Sequence, residues 1–157
     1  MLTHHYSSLN KLISEIDNKR TDFNKKRRKN QSGYNITSRG QILSSAITTC
    51  LIAINVKVDI SYIAFLAIGV SALSSIFGAF LAKYMYSERL AQNIKTVCEL
   101  NELKFDIEMD MEKENDEPEN YKITVEKIEE YKNIYQKILN RSNSEWQKNM
   151  NISKKKK

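Results

Sequence analysis

The sequence predicts an all-α protein: a transmembrane helical hairpin whose long charged arms form cytoplasmic helices in a helical bundle or coiled coil. Three observations predict this class. Residues Ile60 to Ala82 form a run of 23 residues without a charge, enough as a helix to cross a hydrocarbon core of about 30 Å. A second apolar run, Ile42 to Val56, ends three residues earlier. The 157 residues include only four glycines and one proline, so long helices meet few breaks.

The charges of the chain are segregated. Residues 1–41 hold nine basic and three acidic side chains, residues 42–82 hold one of each, and residues 83–157 hold fifteen of each. The net charge of +6 therefore lies in the N-terminal arm. Such a pattern is typical of a membrane segment between two aqueous arms.

The two apolar runs are predicted to be spans. After the longer run, Ile60 to Ala82, come Tyr84 and Tyr86, at the interface depth that tyrosine prefers. The alternative is a buried helix of a soluble bundle, but such a helix normally shows a polar face. The shorter run, 42–56, has 15 residues, and by itself it fits a re-entrant or buried segment as well. Because only "KVD" separates the runs, we expect them to insert as a hairpin, with Asp59 as the N-cap of the second helix.

The basic residues predict the orientation of this hairpin. Nine Lys and Arg precede the first run, and Lys83, Arg89 and Lys95 follow the second, whereas the connecting turn holds only Lys57. The positive-inside rule therefore predicts a multi-pass membrane protein with both termini in the cytoplasm and the turn outside.

Four segments are expected along the chain. They are 1–33, a cytoplasmic amphipathic helix with a basic block and a break at Gly33; 34–84, the hairpin with spans 42–56 and 60–82; 85–150, cytoplasmic helices at 85–114 and 118–142; and 151–157, a disordered basic tail. The second span is predicted to continue unbroken into the cytoplasm as one helix of about 50 residues. Pro118 is expected in the first turn of the last helix.

No constellation of catalytic residues stands out. The sequence has no glycine-rich phosphate loop, nucleophile elbow, C-x-x-C or H-E-x-x-H. His4 and His5 are adjacent and share no helix face for a metal. The alternating acids at 106–114 lack the glycine and spacing of a calcium loop and are interpreted as a solvated helix end. We predict no enzyme, no cofactor, no metal, and no disulfide between Cys50 and Cys98.

Polar and small residues within the spans are the candidate functional residues. Candidate pore-lining residues in the first span are Ser45, Thr48 and Asn55. Candidates for close helix packing in the second span are Ala64, Ala67, Ser71, Ser74, Gly78 and Ala82. A polar stripe in a span either joins helices or lines water in an oligomer, and the sequence leaves both interpretations open.

A basic block precedes the first span and is predicted to face the membrane or a signal molecule. It comprises Lys25, Lys26, Arg27, Arg28 and Lys29. Anionic lipid head groups would contribute about 1 kcal/mol per basic residue. The acidic stretch 99–119 is another candidate partner, and an orientation signal with solvated side chains is a third interpretation. A nucleic-acid duplex is not expected as a partner.

Three features of the chain resemble the SLATT family of bacterial two-transmembrane proteins. They are "SRGQILSSAITTCLIAI", "AIGVSALSSIFGAFLAKYMYSERLAQNIKTVCELNELKFDIE" and the order basic arm, two close spans, long charged helix. The resemblance covers roughly residues 9–140 and rests on helix patterns. It implies an effector of an antiphage, abortive-infection system. Such a protein homo-oligomerises in the inner membrane and permeabilises it when a nucleotide second messenger, or a sensor or nucleotidyltransferase protein, signals. The alternative function is a non-conducting scaffold that recruits a partner through its cytoplasmic helices.

Overall fold

The computed structural model describes residues 5–155, and the side chains of residues 5–148. This part of the chain forms four helices: α1 (Ser7–Val58), α2 (Ser61–Tyr84), α3 (Tyr86–Asp116) and α4 (Val125–Lys155). No strand occurs among the described residues, so the predicted all-α class is confirmed. Coiled-coil geometry stays a prediction.

The chain divides into two compact units. One consists of Met1–Arg27 with Leu90–Lys157 and is called the charged unit; the other, Arg28–Arg89, is called the hairpin unit. Three helices build the charged unit, and α1 and α2 build most of the hairpin unit.

The charged unit has an apolar core because apolar residues recur at spacings of three and four along each of its helices. The buried side chains are Leu9, Leu12 and Ile16 of α1, Leu100, Leu103, Ile107 and Met111 of α3, Ile123, and Ile128, Tyr131 and Ile138 of α4. Full burial of one such side chain contributes about 1.5–3 kcal/mol. An ion pair flanks this core, since Lys104 Nζ donates to both carboxylate oxygens of Asp17, at 2.9 and 2.8 Å.

Polar contacts fix the direction of α4 against α3. The guanidinium of Arg141 pairs with Glu99, and Lys95 Nζ lies 3.2 Å from Glu145 Oε1. Because the later residue of α3 pairs with the earlier residue of α4, the two helices run antiparallel.

Two expected features of the long helices differ from the structure. The break at Gly33 does not occur: α1 runs through it, since one glycine costs a helix only about 1 kcal/mol. The second span does not continue unbroken, because Met85 adopts φ 47° and ψ 45° between α2 and α3. Hydrogen bonds from Met85 N to Leu81 O (3.3 Å) and from Arg89 N to Met85 O (3.1 Å) flank it, so the interruption is one residue long.

Two expected helix starts also differ. Asp59 does not cap α2, because it adopts a left-handed φ of 47° in the turn, and Ile60 takes the cap position without a side-chain hydrogen bond. Pro118 lies in the turn before α4 and not in its first helical turn. The start of α4 follows Thr124, whose hydroxyl accepts a hydrogen bond from Lys127 N at 3.3 Å, the usual geometry of a threonine cap.

The bounds of the two C-terminal helices also differ from those predicted. The cytoplasmic helices expected at 85–114 and 118–142 lie at Tyr86–Asp116 and Val125–Lys155. Residues 151–155 of the tail that was expected to be disordered are therefore helical. Residues 156–157 lie outside the described part of the chain.

Candidate membrane-spanning hairpin

Within residues 5–155, two helices are long and apolar enough to cross a membrane, α1 and the helical segment that begins with α2. Only 6% of each apolar stretch is buried. The exposed large side chains include Ile42, Leu43 and Ile47 of α1 and Phe65, Leu66, Ile68, Leu73 and Ile76 of α2. A core helix of a soluble bundle would bury such residues. These faces therefore require an apolar environment outside the chain.

A seam of small residues on α1 receives aromatic rings from the following helices. Gly33, Thr37, Gly40 and Ser44 recur at spacings of four and three on α1, and Thr37 and Ser44 are buried. A Cβ at Gly33 would lie 2.7 Å from the ring of Tyr86, and a Cβ at Gly40 would lie 2.9 Å from the ring of Phe77. The missing side chains at both glycines thus create the space that the rings occupy.

Hydroxyl groups join the two helices further along this seam. The Oγ atoms of Ser45 and Ser74 are hydrogen-bonded at 2.8 Å. Ser74 Oγ also lies within 3.4 Å of the backbone oxygen of Gln41, as a donor. Ser45, a candidate pore-lining residue, therefore contacts α2 inside the hairpin. In this arrangement its hydroxyl group joins the two helices.

The other candidate pore-lining residues line a groove between the same helices. Its volume is about 390 Å³. The lining side chains are Thr48, Ile52, Asn55 and Val56 of α1 and Ala64, Ala67, Ile68 and Ser71 of α2. Thr48 Oγ1 donates to the carbonyl of Ser44 at 2.9 Å. Asn55 Oδ1 is buried without a hydrogen-bond partner among the described groups, so this arrangement leaves a buried polar atom of the groove unsatisfied.

The structure brings most of the predicted packing residues to α1. Ala64, Ala67 and Ser71 line the groove, Ser74 bonds to Ser45, and a Cβ at Gly78 would lie 2.9 Å from Gln41 Nε2. Ala82 is exposed. The sequence interpretation treats Gly33 as a break, and it does not identify Gly40, Phe77 or Tyr86 as packing residues, because a pattern along one helix does not show which residues of another helix lie opposite it. The spacing of Gly33, Thr37, Gly40 and Ser44 is the signal that could have identified the seam.

The basic block lies on α1 across the boundary between the two units. Lys25, Lys26, Arg28 and Lys29 are exposed, and Arg27 is half-buried with its Nε atom unpaired among the described groups. Lys26 Nζ lies 5.1 Å from the ring centroid of Phe23. The exposed members of the block thus leave their charges available to a partner. The partnership with the acidic stretch stays a prediction.

One of the alternating acidic residues, Asp110, is half-buried and hydrogen-bonded. The Tyr131 hydroxyl donates to Asp110, and Lys113 Nζ lies 2.7 Å from it. Burial raises the pKa of Asp110, but hydrogen bonds from Lys113, Tyr131 and Tyr121 outweigh burial, so the pKa lies below its ordinary value. Burial and the neighbouring carboxylate raise the pKa of Tyr131. This cluster joins α3 to α4.

The remaining predicted sites divide between described and undescribed residues. The ring centroids of His5 and Tyr6 lie 4.2 Å apart, and His4 lies outside the described residues. Cys50 and Cys98 are free and exposed. Within the described part of the chain, no group of three potential metal ligands comes together.

The fold and the hairpin together define the class of the protein: an all-α protein with two candidate membrane-spanning helices that pack along a seam of small and hydroxylated residues. Comparisons with protein families, with curated proteins and with solved structures found no match to this chain.

Proposed function

We propose that this chain is a pore-forming membrane effector of a bacterial antiphage, abortive-infection system, which oligomerises in the inner membrane on an upstream signal. The observation that carries the proposal is the contrast between the faces of the hairpin. Its outer faces carry large exposed apolar side chains, whereas Ser45 and Ser74, and the groove residues Thr48 and Asn55, lie between the two helices. The resemblance to the SLATT family supports the effector role.

A bilayer is the environment that suits the exposed faces. Leu, Ile and Phe side chains on both helices gain free energy in hydrocarbon, whereas in water each exposed methylene group costs about 0.8 kcal/mol. The distribution of Lys and Arg favours cytoplasmic termini. Lipid is therefore the first partner, and further copies of the chain are the second.

The seam suggests how conduction is controlled. In this arrangement the hydroxyl groups of Ser45 and Ser74 are hydrogen-bonded to each other. A conducting oligomer requires the helices to separate, so that Ser45, Thr48 and Asn55 face a shared lumen. Separation also gives the unsatisfied Asn55 Oδ1 access to water, which offsets part of the cost of opening.

A cross-link across the seam tests this proposal. A variant with Ser45→Cys and Ser74→Cys, in a Cys50→Ala and Cys98→Ser background, is reconstituted in liposomes that hold a fluorescent dye. Because the two hydroxyl oxygens are 2.8 Å apart, the thiols can form a disulfide. We expect oxidation to block dye release at high protein density and a reductant to restore it. The Ser45→Cys single variant, treated in the same way, is the matched control.

Two outcomes would contradict this proposal, the first its claim of pore formation and the second its claim that the helices separate. If liposomes keep their dye at every protein density, the chain does not permeabilise membranes by itself. If the oxidised double variant releases dye as fast as the control, conduction does not require separation of α1 and α2.

A second candidate function is a non-conducting membrane scaffold that recruits a partner through the charged unit. The mutual hydrogen bond of Ser45 and Ser74 favours it, because a hairpin that satisfies its hydroxyls internally needs no water-filled lumen. A scaffold predicts intact liposomes together with retention of a partner, and a disulfide across the seam that changes neither.

A further inference from the structure

The groove between α1 and α2 has its polar end next to the turn of the hairpin. Ser45 faces Ser74 in the antiparallel pair, and this register, continued towards the turn, places Asn55 level with Ala64. Both residues line the groove. Asn55 precedes Asp59 in the turn by four residues, a helical path of about 6 Å. With the hairpin in a bilayer, the Asn55 end of the groove therefore lies just inside the head-group region.

The unpaired acceptor at this end requires a hydrogen-bond donor from outside the chain. Asn55 Oδ1 is buried without a partner among the described groups, and a buried acceptor without a donor is costly. The other polar side chains that line the groove, Thr48 and Ser71, lie seven residues further along their helices, a path of about 10 Å. A buried water molecule normally has about two to four polar partners, and of the side chains that line this end only Asn55 is polar. The donor should therefore belong to a larger molecule.

The walls of the groove fit a single hydrocarbon chain. Most of its lining side chains are apolar, and Ile52 and Ile68 are 52% and 67% exposed, so the groove is open towards lipid. Its volume of about 390 Å³ lies near the lower limit of ligand sites, about 300–1,000 Å³. A charged donor such as an ammonium group is more costly to bury than a hydroxyl group. The groove thus fits a molecule with a hydroxyl group beside one alkyl chain.

We propose that this groove binds a monoacyl phospholipid, whose free glycerol hydroxyl donates to Asn55 Oδ1 and whose acyl chain lies along the groove towards Thr48. In such a lipid the hydroxyl lies between the phosphate head group and the chain, so it matches an acceptor just inside the head-group region. Diacyl phospholipids lack this hydroxyl and carry a second chain. This proposal rests on the membrane location of the hairpin and is independent of pore formation.

Two lipids that differ only in the donor test this hydrogen bond. They are monoacyl phosphatidylcholine and its 2-O-methyl ether, which has the same head group and chain but no hydroxyl group. The full chain in detergent micelles is incubated with equal amounts of both, and native mass spectrometry counts the lipid molecules that it retains. We expect the hydroxyl form to be retained about two- to tenfold more, the ratio that one neutral hydrogen bond supplies.

A pair of variants tests the role of the acceptor. Asn55→Leu removes the amide and keeps a side chain of similar size, so the ratio of the two retained lipids should fall to one. Thr49→Val removes the hydroxyl of an exposed residue that does not line the groove. This control should keep the ratio of the unmodified chain.

A second pair of variants tests the location of the acyl chain. Ala64→Leu fills the half-buried position level with Asn55 and should abolish retention of both lipids, whereas Ala72→Leu, at an exposed position, should not. Ser45→Cys and Ser74→Cys, combined with Ala64→Leu, should still form their disulfide. That result shows that the hairpin remains folded when the groove is filled.

Three results would overturn the lipid site. Equal retention of the two lipids by the unmodified chain means that no hydroxyl donates to Asn55. A ratio that Asn55→Leu leaves unchanged means that the lipid binds elsewhere. Retention of neither lipid means that water or a side chain of a second copy occupies the groove. Liposomes that keep their dye contradict only the proposed pore, and a chain that is monodisperse without detergent contradicts the membrane location on which both proposals rest.

Discussion

The four glycines of the chain provide a graded test of how closely α1 and α2 pack. A Cβ at Gly40 would lie 2.9 Å from two ring atoms of Phe77 and 3.1 Å from a third. Carbon atoms in contact normally lie about 3.5–4.0 Å apart. Alanine at Gly40 therefore forces the ring, or the whole helix, to move by more than half an ångström. Gly33 meets the ring of Tyr86 at 2.7 Å in the same way.

The free-energy cost of the clash at Gly40 follows from a comparison of two variants. Overpacking of a packed interface costs about 1–3 kcal/mol, and alanine in place of glycine recovers up to about 1 kcal/mol of helix propensity. A Cβ at Gly69 meets nothing within 4 Å, so Gly69→Ala has the propensity gain without the clash. The difference between Gly40→Ala and Gly69→Ala should thus be about 1–3 kcal/mol. Gly78→Ala should resemble Gly69→Ala, because only the flexible end of Gln41 must move.

Reversible unfolding of the hairpin in mixed micelles measures this difference. Dyes on Cys50 and on Ala72→Cys, both at exposed positions, report helix separation by energy transfer in a Cys98→Ser background. If Gly40→Ala and Gly69→Ala unfold at the same fraction of denaturing detergent, Phe77 does not lie on Gly40, and the seam is wrongly located.

Three further perturbations address the charged unit and the helix junction. Tyr131→Phe should lower the free energy of unfolding by about 1 kcal/mol. The lowered pKa of Asp110 means that its contribution is complete above about pH 4 and is lost as the pH falls further. The raised pKa of Tyr131 means that its contribution is lost as the pH rises above about 10. In a pH series of thermal melts, Tyr131→Phe should therefore reduce both the loss of stability at low pH and the loss of stability at high pH. Lys104→Met should cost about 1–2 kcal/mol in the same melts, because it removes two hydrogen bonds to Asp17. Met85→Gly should be neutral or stabilising by up to about 1 kcal/mol, since glycine adopts the left-handed conformation without strain.

Each of these three tests has a control variant. Tyr62→Phe, at an exposed position, should leave the pH profile unchanged, and a profile altered as much as by Tyr131→Phe would contradict the Asp110 interaction. Lys122→Met is the exposed control for Lys104; equal losses would mean that the ion pair with Asp17 contributes nothing. Met109→Gly lies inside α3 and should cost about 1 kcal/mol, so a similar loss from Met85→Gly would contradict a left-handed residue at the junction.

The candidate site was predictable in part. The hydroxylated and small residues of the spans could be found from the sequence, and Ser45, Ser74 and Ala67 do lie between the helices. Their partners could not be found, because a helical stripe shows which residues share a face but not which face the neighbouring helix covers. For the same reason the sequence could not show that Gly33 is a packing position. The glycine was predicted to break the helix, whereas its missing side chain leaves the space that the ring of Tyr86 occupies.

The sequence by itself determined the helical class, the two apolar helices and the apolar stripes of the charged arms, because backbone propensity, hydropathy and periodicity are local properties of the chain. Only the tertiary structure decided that Ser45 meets Ser74, that Asp110 accepts a hydrogen bond from Tyr131, and that a single residue, Met85, separates α2 from α3. The two hydrogen bonds depend on the register between packed helices, and register is fixed by close packing of side chains, which no local pattern records.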